Sequence, residues 1–504
     1  MPVQRRHRSA VACHPCRQRK ARCNARTDPP PPDAAVLPGD AERRRNLQVE
    51  QIGADISLAL QEVYVTKTGT SYYAGEVPAA ITAVDACSQA QQPKQRQVVL
   101  KTYIPTTLSQ LDYKYLEQKG VHTRPQTTTC QEILRAYCHH VHPILPIIDL
   151  VKIQELDAPP SIQIGDMLLF WSIAVAAVNF VPSEAWKAEK FASRKEMKEV
   201  AYLRAKCLYD NGGETDKELL LQSALLLGIA LNLCQIMGLH RNSDIGNLNP
   251  RFTDGKRPLL RRLWASCVFR DHWLSLTLGR PQRLRLNECD MPFPTVEDVL
   301  SDLTDIAAGF RATYVPPDLE QLAEDWTQLM HLSRLLEDVL GLCYQQVNYS
   351  PTMAEYETLE QNLLQFREDI RDRRQTQRAV LITFFRPFTL SAFLPEVGES
   401  RRRNIQISLN EAANKTCHLL DCMAREMLVG FAGPMTPPLL VPAMHIHLLN
   451  CKATDALSSR LSFNKLEVCV TVMRELSKAH TSATMFCGLF REAVQRVLSG
   501  RRST

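Results

Sequence analysis

From Cys130 to about Val497 the apolar residues recur at intervals of three and four, in long stretches parted by short breaks. No alternating stretch of comparable length appears, so the pattern predicts an all-α body over 129–500. Helices are expected over about 129–141, 164–180, 186–210, 216–238, 258–277, 317–347, 353–395 with a break near Pro387, 404–428, 438–458 and 464–482. No repeat period of the solenoid kind runs through them. Gly279 and Pro281 are placed to stop the helix over 258–277, the glycine by tolerating positive φ and the proline by lacking a donor. Trp264 and Phe269 read as core packing, and Arg280 as a partner for helix-end carbonyls or for Asp290.

Ahead of the body the pattern thins. Residues 29–46, with Pro29 to Pro32, Pro38 and Gly39, read as a disordered linker, because proline favours extended backbone over packed elements. Over 47–65, Val49, Ile52, Ile56, Ala59 and Val63 fall at three-four spacing. Such a run makes a short amphipathic helix, or a two-heptad seam for a homodimer; Gly53 and the short length favour the plain helix. Residues 66–128, rich in Thr, Gly, Ser, Gln and Pro, read as an irregular or partly extended connection.

Two runs without a formal charge test for a membrane role: Leu219–Leu239 and Met167–Ser183. Gln222, Ser223, Asn232 and Gln235 interrupt the first and Pro182 ends the second, so both are expected to be buried core helices, with no membrane partner. MPVQRRHRSAVA carries no apolar run after its charges and does not read as a secretory signal. The 16 cysteines are scattered rather than framed, which fits a reducing compartment.

Charge changes the picture more than composition does. The chain carries +6 over 504 residues, but residues 1–26 hold eight Arg and Lys side chains and no acid, which leaves −2 for the other 478. A basic head therefore precedes a near-neutral body, and a basic head seeks nucleic acid. Within it, Cys13, Cys16 and Cys23 stand at the spacing Cys, two residues, Cys, six residues, Cys, around Arg17, Arg19, Lys20 and Arg22. That spacing brings three soft thiolates to one metal, for which zinc is the expected cofactor. A segment of about 25 residues cannot bury enough apolar surface to order itself, so metal binding would supply its folding energy.

CHPCRQRKARCNAR, residues 13–26, resembles the first half of the fungal zinc binuclear cluster, a DNA-binding module in which six cysteines hold two zinc ions. The resemblance implies that Lys20 reads base edges in double-stranded DNA, typically in CGG triplets, while Arg17, Arg19 and Arg22 face phosphates. A Lys at a guanine O6/N7 edge is also what groove chemistry favours. The second half of the cluster is absent: TDPPPPDAAVLPGDAERRR follows, and the next cysteine is Cys87. Three thiolates close no tetrahedral zinc, and His7, His14 and Asp28 are the nearby fourth donors. Either a coding segment is missing between these halves or the metal module has been lost. The module is assigned to residues 1–28.

The body carries the same resemblance. CQEILRAYCHHVHPILPIIDL (130–150), ALNLCQIMGLHRN (230–242) and RRLWASCVFRDHWLSLTLGRPQRLRLNECDMPFP (261–294) resemble segments of the fungal-specific regulatory domain, the last of them nearer the cutinase-activator group than the galactose-activator group. The resemblance implies a nuclear transcription regulator of a secondary-metabolite or toxin gene cluster, or of a related catabolic gene set, recruiting transcription machinery or co-regulators. Its rivals are a truncated regulator that acts through partner proteins without touching DNA, and a helical ligand-binding protein or enzyme. No phosphate loop, nucleophile elbow, His-Glu-x-x-His helix or kinase set is present, so an enzyme is not expected. Cys138, His139, His140 and His142 read as a helix terminus rather than a metal site, although His139 and His142 would share a helical face. Glu297–Asp305 reads as an N-capped solvent face rather than an activation segment.

Overall fold

The computed structural model describes residues 70–73, 99–102, 108–157, 164–211, 217–227, 230–242, 254–345, 352–368, 374–389, 398–452 and 455–502. All of them belong to one compact unit, formed by Val63–Ile81 with Lys94–Thr504. The basic head, the linker and the expected amphipathic helix over 47–65 lie outside the described residues.

The unit is helical, as the apolar period predicts, with one two-stranded antiparallel ribbon among the described residues. Its strands are β1 (Thr70–Tyr73) and β2 (Val99–Thr102), with Thr70 opposite Thr102 and Tyr73 opposite Val99. A helix not anticipated from the sequence, α1 (Gln110–Gln118), stands in the stretch expected to be irregular. Its start is local chemistry. Ser109 Oγ accepts from the Asp112 N–H at 3.1 Å, Asp112 Oδ2 accepts from the Ser109 N–H at 3.2 Å, and fully buried Leu116 anchors the helix.

The first core forms between α2 (Thr127–Ala136), α3 (Leu150–Asp157), α4 (Ile164–Ala177), α5 (Ser183–Ala188), α6 (Arg194–Asn211), α7 (Lys217–Leu227) and α8 (Leu231–Ile236). α4 is buried nearly all round, as its charge-free sequence requires. The longer charge-free run does not form one rod: α7 ends at Leu227 and α8 begins at Leu231. Among the described residues no helix is long and apolar enough to cross a membrane.

α9 (Arg257–Leu278) is the shared wall of two cores. Leu259, Leu263, Trp264 and Val268 pack into the first core, and Ala265, Phe269 and Trp273 into a second. Pro258 opens α9, and Gly279 closes it at φ 62°, the left-handed cap expected from the sequence. The second core adds α10 (Val296–Leu300), α12 (Leu319–Leu340), α13 (Met353–Glu368), α14 (Arg374–Phe385) and α15 (Glu399–Arg425); α11 (Ala308–Tyr314) packs on the first. A third core joins α15 to α16 (Thr436–Asn450), α17 (Ala456–Leu476) and α18 (Thr481–Arg502). α17 starts earlier than the period indicated because the Asp455 side chain accepts from the Ser458 N–H at 2.8 Å. α18 was not anticipated; Ala483, Phe486, Cys487 and Phe490 form its buried stripe.

Two local expectations change. The helix α2 runs into a π turn over Tyr137–Val141, whose wider pitch separates His139 from His142. His142 is buried while His139 stays half-exposed, so the two share no face. The acidic stretch Glu297–Asp305 is N-capped by Thr295 but is a solvent face only in part, through Glu297 and Asp305. Asp298 and Asp302 point inward, where Arg261 reaches Asp298 at 3.1 Å and fully buried Arg262 reaches Asp302 at 2.8 Å and Asp149 at 2.7 Å. Buried guanidinium groups need such partners, since the charge cannot be left in an apolar interior.

Candidate functional site: a polar groove over the end of helix α9

The loop after α9 is held from below by side chains of two helices. Asp271, buried in α9, accepts from the backbone N–H groups of Arg283 at 2.7 Å and Leu284 at 2.8 Å. Glu337 of α12 accepts from the Leu286 N–H at 2.9 Å, and burial pushes its carboxyl up. His272 fills the space between: Nδ1 lies 2.9 Å from the Ser333 carbonyl oxygen and Nε2 lies 3.4 Å from that of Leu284. Trp273 Nε1–H donates to Ser333 Oγ at 2.9 Å, which ties α9 to α12 beneath the loop. These buried polar groups hold 283–286 as a rigid rim.

The opposite rim is the turn after α8. Gly238 adopts φ 70° and lets the chain reverse at Leu239, and the His240 carbonyl then accepts from the N–H groups of Asp290 at 3.0 Å and Met291 at 3.3 Å. Asp290 Oδ1 in turn accepts from the Asn242 N–H at 2.8 Å. The two sequence-distant segments are therefore stitched together by backbone. Between them lies a groove of about 790 Å³ lined by Gln235, His240, Arg241, Arg283, Arg285 and Asp290, with Trp264 in its wall.

Its lining is polar and charged, with Arg283, Arg285, Glu288 and Asp290 exposed. The size falls in the range of small-molecule sites, roughly 300–1,000 Å³. Arg241, Arg283 and Arg285 bring guanidinium groups, Glu288 and Asp290 carboxylates, so a ligand with an acidic group and hydroxyl or amide groups would find partners. Burial holds His240 below the ordinary imidazole range, with the Arg241 charge acting the same way. Cys289 also lines the groove, but burial, Glu337 and Glu288 push its thiol up to about 11, so it is a poor nucleophile.

Arg280, expected near helix-end carbonyls or Asp290, holds the helix end with its backbone: its N–H donates to the Ser275 carbonyl at 3.2 Å, and the residue is exposed. Cys13, Cys16 and Cys23, the expected zinc ligands, and Lys20, Arg17, Arg19 and Arg22, the expected DNA contacts, lie outside the described residues. Among the described residues no group of three His, Cys, Asp or Glu side chains is arranged to hold a metal.

Residues 215–374 match the family model of the fungal specific transcription factor domain, and that span contains every residue that lines the groove. Over that span the chain is similar to the fungal specific transcription factor domain. It is 29% identical over 311 residues to a transcription factor of Fusarium pseudograminearum, covering 57% of this chain and 34% of that protein. To a cutinase transcription factor 1 beta of Fusarium vanettenii it is 23% identical over 474 residues, 78% of this chain and 52% of the relative. To an acetamidase regulatory protein of Emericella nidulans it is 31% identical over 206 residues, 35% of this chain and 23% of the relative. The chain thus spans about half or less of the length of these relatives, whose names are those of regulators, not enzymes. No solved structure matches the chain. The domain resembles the cutinase activators, as 261–294 indicated.

Proposed function

We propose that the chain is a sequence-specific DNA-binding transcription regulator of the nucleus, with a zinc-dependent reader in residues 1–28 and the helical body as its regulatory part. The observation that carries this reading is the fungal specific transcription factor domain over 215–374. The charge distribution supports it: eight positive side chains in residues 1–26, and −2 for everything after.

In this reading Cys13, Cys16 and Cys23 supply three of the four donors a zinc ion takes, with His7, His14 or Asp28 as the fourth. Bound zinc would supply the folding energy of the head. Lys20 then donates to base edges, Arg17, Arg19 and Arg22 hold phosphates, and CGG-containing duplexes are the expected targets. The linker over 29–46 separates this head from the body, where the groove takes an acidic metabolite and the outer helices meet transcription machinery or co-regulators. The controlled genes form a secondary-metabolite or toxin cluster or a catabolic set; the name of a fusaric acid cluster transcription factor among the relatives supports the first, and those of the cutinase and acetamidase relatives the second. A homodimer through 47–65 belongs to the same proposal.

The missing three cysteines favour one second reading, a regulator that reaches DNA only through a partner. Fluorescence anisotropy on duplexes separates the two. Lys20→Ala should reduce discrimination between CGG-containing and unrelated duplexes by about 1–3 kcal/mol, while Arg5→Ala should weaken both alike. Unchanged discrimination in Lys20→Ala would remove Lys20 from the reading, and no binding by the parent chain would favour the partner-dependent regulator.

A further inference from the structure

In the third core, three side chains from three helices meet away from the groove. Cys417 of α15 places its Sγ 3.4 Å from Cys469 Sγ of α17 and 3.1 Å from His447 Nε2 of α16. The same His447 Nε2 lies 3.3 Å from the Ala413 carbonyl oxygen, and Cys417 Sγ also faces the Lys465 carbonyl at 3.7 Å. Both residues are buried, Cys469 fully and Cys417 with 8% of its surface exposed.

We propose that Cys417 and Cys469 are a dithiol modification site, which a hydroperoxide converts to a disulfide that ties α15 to α17. The chemistry balances within the cluster. His447 Nε2 accepts the Cys417 thiol proton, and the thiolate attacks the peroxide, breaking its O–O bond and leaving a sulfenic acid on Cys417. The departing hydroxide takes up the proton and leaves as water. Cys469 sulfur then attacks the sulfenic sulfur, the S–O bond breaks, and a second water leaves with the Cys469 proton. Two thiols lose two electrons and two protons, and hydrogen peroxide is reduced to two waters.

The surroundings favour Cys417 as the attacking sulfur. Its thiol is held below the ordinary cysteine range by the hydrogen bond from Cys469, by His447 and by the Lys465 charge, while Cys469 is pushed up by the same pairing and by burial. Lys465 is itself fixed at 2.7 Å from Asn414 Oδ1. To bond, the sulfurs need to close from 3.4 Å to about 2.05 Å. Two other thiols of the body serve as comparisons. Fully buried Cys234 is pushed up by burial and by its Cys267 neighbour, and exposed Cys422 has His418 Nδ1 at 3.7 Å.

The test is peroxide titration of the full chain, with remaining thiols blocked in denaturant and the digest read by mass spectrometry. The expected result is a linked Cys417–Cys469 peptide, lighter than the two thiol peptides by two hydrogens, formed before Cys422 is oxidised and reversed by dithiothreitol. Both cysteines recovered as blocked thiols after Cys422 has been oxidised would overturn the proposal. In Cys469→Ala the Cys417 sulfenic acid should persist and be trapped by dimedone. In His447→Gln linkage should slow by roughly tenfold or more; an unchanged rate would remove His447 from the mechanism. The parent chain decides the matter where a variant does not fold.

Discussion

Asp271 shows how one buried carboxylate builds a surface site. Its two acceptor bonds at 2.7 and 2.8 Å fix the backbone of Arg283 and Leu284, and through them one rim of the groove. Asp271→Ala removes a charged acceptor and leaves the Leu284 N–H without its partner. The expected cost is about 2–3 kcal/mol in urea denaturation. Hydrogen exchange should rise first at the amides of 283 and 284, and unchanged exchange there would place the rim's stability elsewhere. His142 gives a pH dependence of known sign. Burial, with the Arg262 charge, lowers it from 6.5 to about 4, against a smaller opposing effect of Asp302. The unfolded chain therefore binds more protons between those values, and stability falls as pH drops from 6.5 toward 4. The loss attributable to this side chain is on the order of 3 kcal/mol at the acid end. His142→Phe should flatten that limb of the urea midpoint against pH, leaving the neutral side unaffected. Neither role is legible in the sequence: His142 reads as a helix terminus, and nothing in the 22 residues of α9 announces that Asp271 caps a loop. The signal, where one existed, was an acid or Arg262 standing at positions that the period assigns to the interior.

The helices were largely legible because the long ones keep their apolar residues in sustained helical runs, and where a cap residue ends them the boundary could be read as well. Gly279 is the clearest case: a Cβ there meets nothing within 4 Å, so its cost is the left-handed backbone alone. Gly279→Ala should destabilise the body by about 1 kcal/mol. Gly488, exposed in mid-helix in α18 and also with nothing within 4 Å, gives the opposite sign: Gly488→Ala should stabilise by about 0.5–1 kcal/mol. Thermal melts of the two variants, shifted in opposite directions from the parent, check the pair together. The short elements were not legible, for a physical reason. α1, α3, α10 and α11 bury too few positions for a period to emerge, and side-chain capping sets where α1 and α10 begin. The inward turn of Asp298 and Asp302 belongs here too. A capping box between Thr295 and Asp298 looks like a solvent-facing start until the arginines that receive the acids are placed.

At the scale of the whole chain, the sequence divides by charge. The basic head carries the residues expected to meet zinc and DNA, and the near-neutral body carries a groove built from segments 235–242 and 283–290 that only the fold brings together. The sequence marked both segments through their resemblance, but their union at a backbone stitch from His240 to Asp290 and Met291 is a property of the tertiary structure. The central claim is that the head reads DNA through zinc. Its most direct test is anisotropy of the full chain on a CGG-containing and an unrelated duplex, before and after zinc chelation and over a salt series. The account predicts preference for the CGG duplex, loss of that preference on chelation, and affinity falling by orders of magnitude over a few-fold rise in salt if about six phosphates are neutralised. Equal binding to both duplexes, unmoved by chelation, would contradict it.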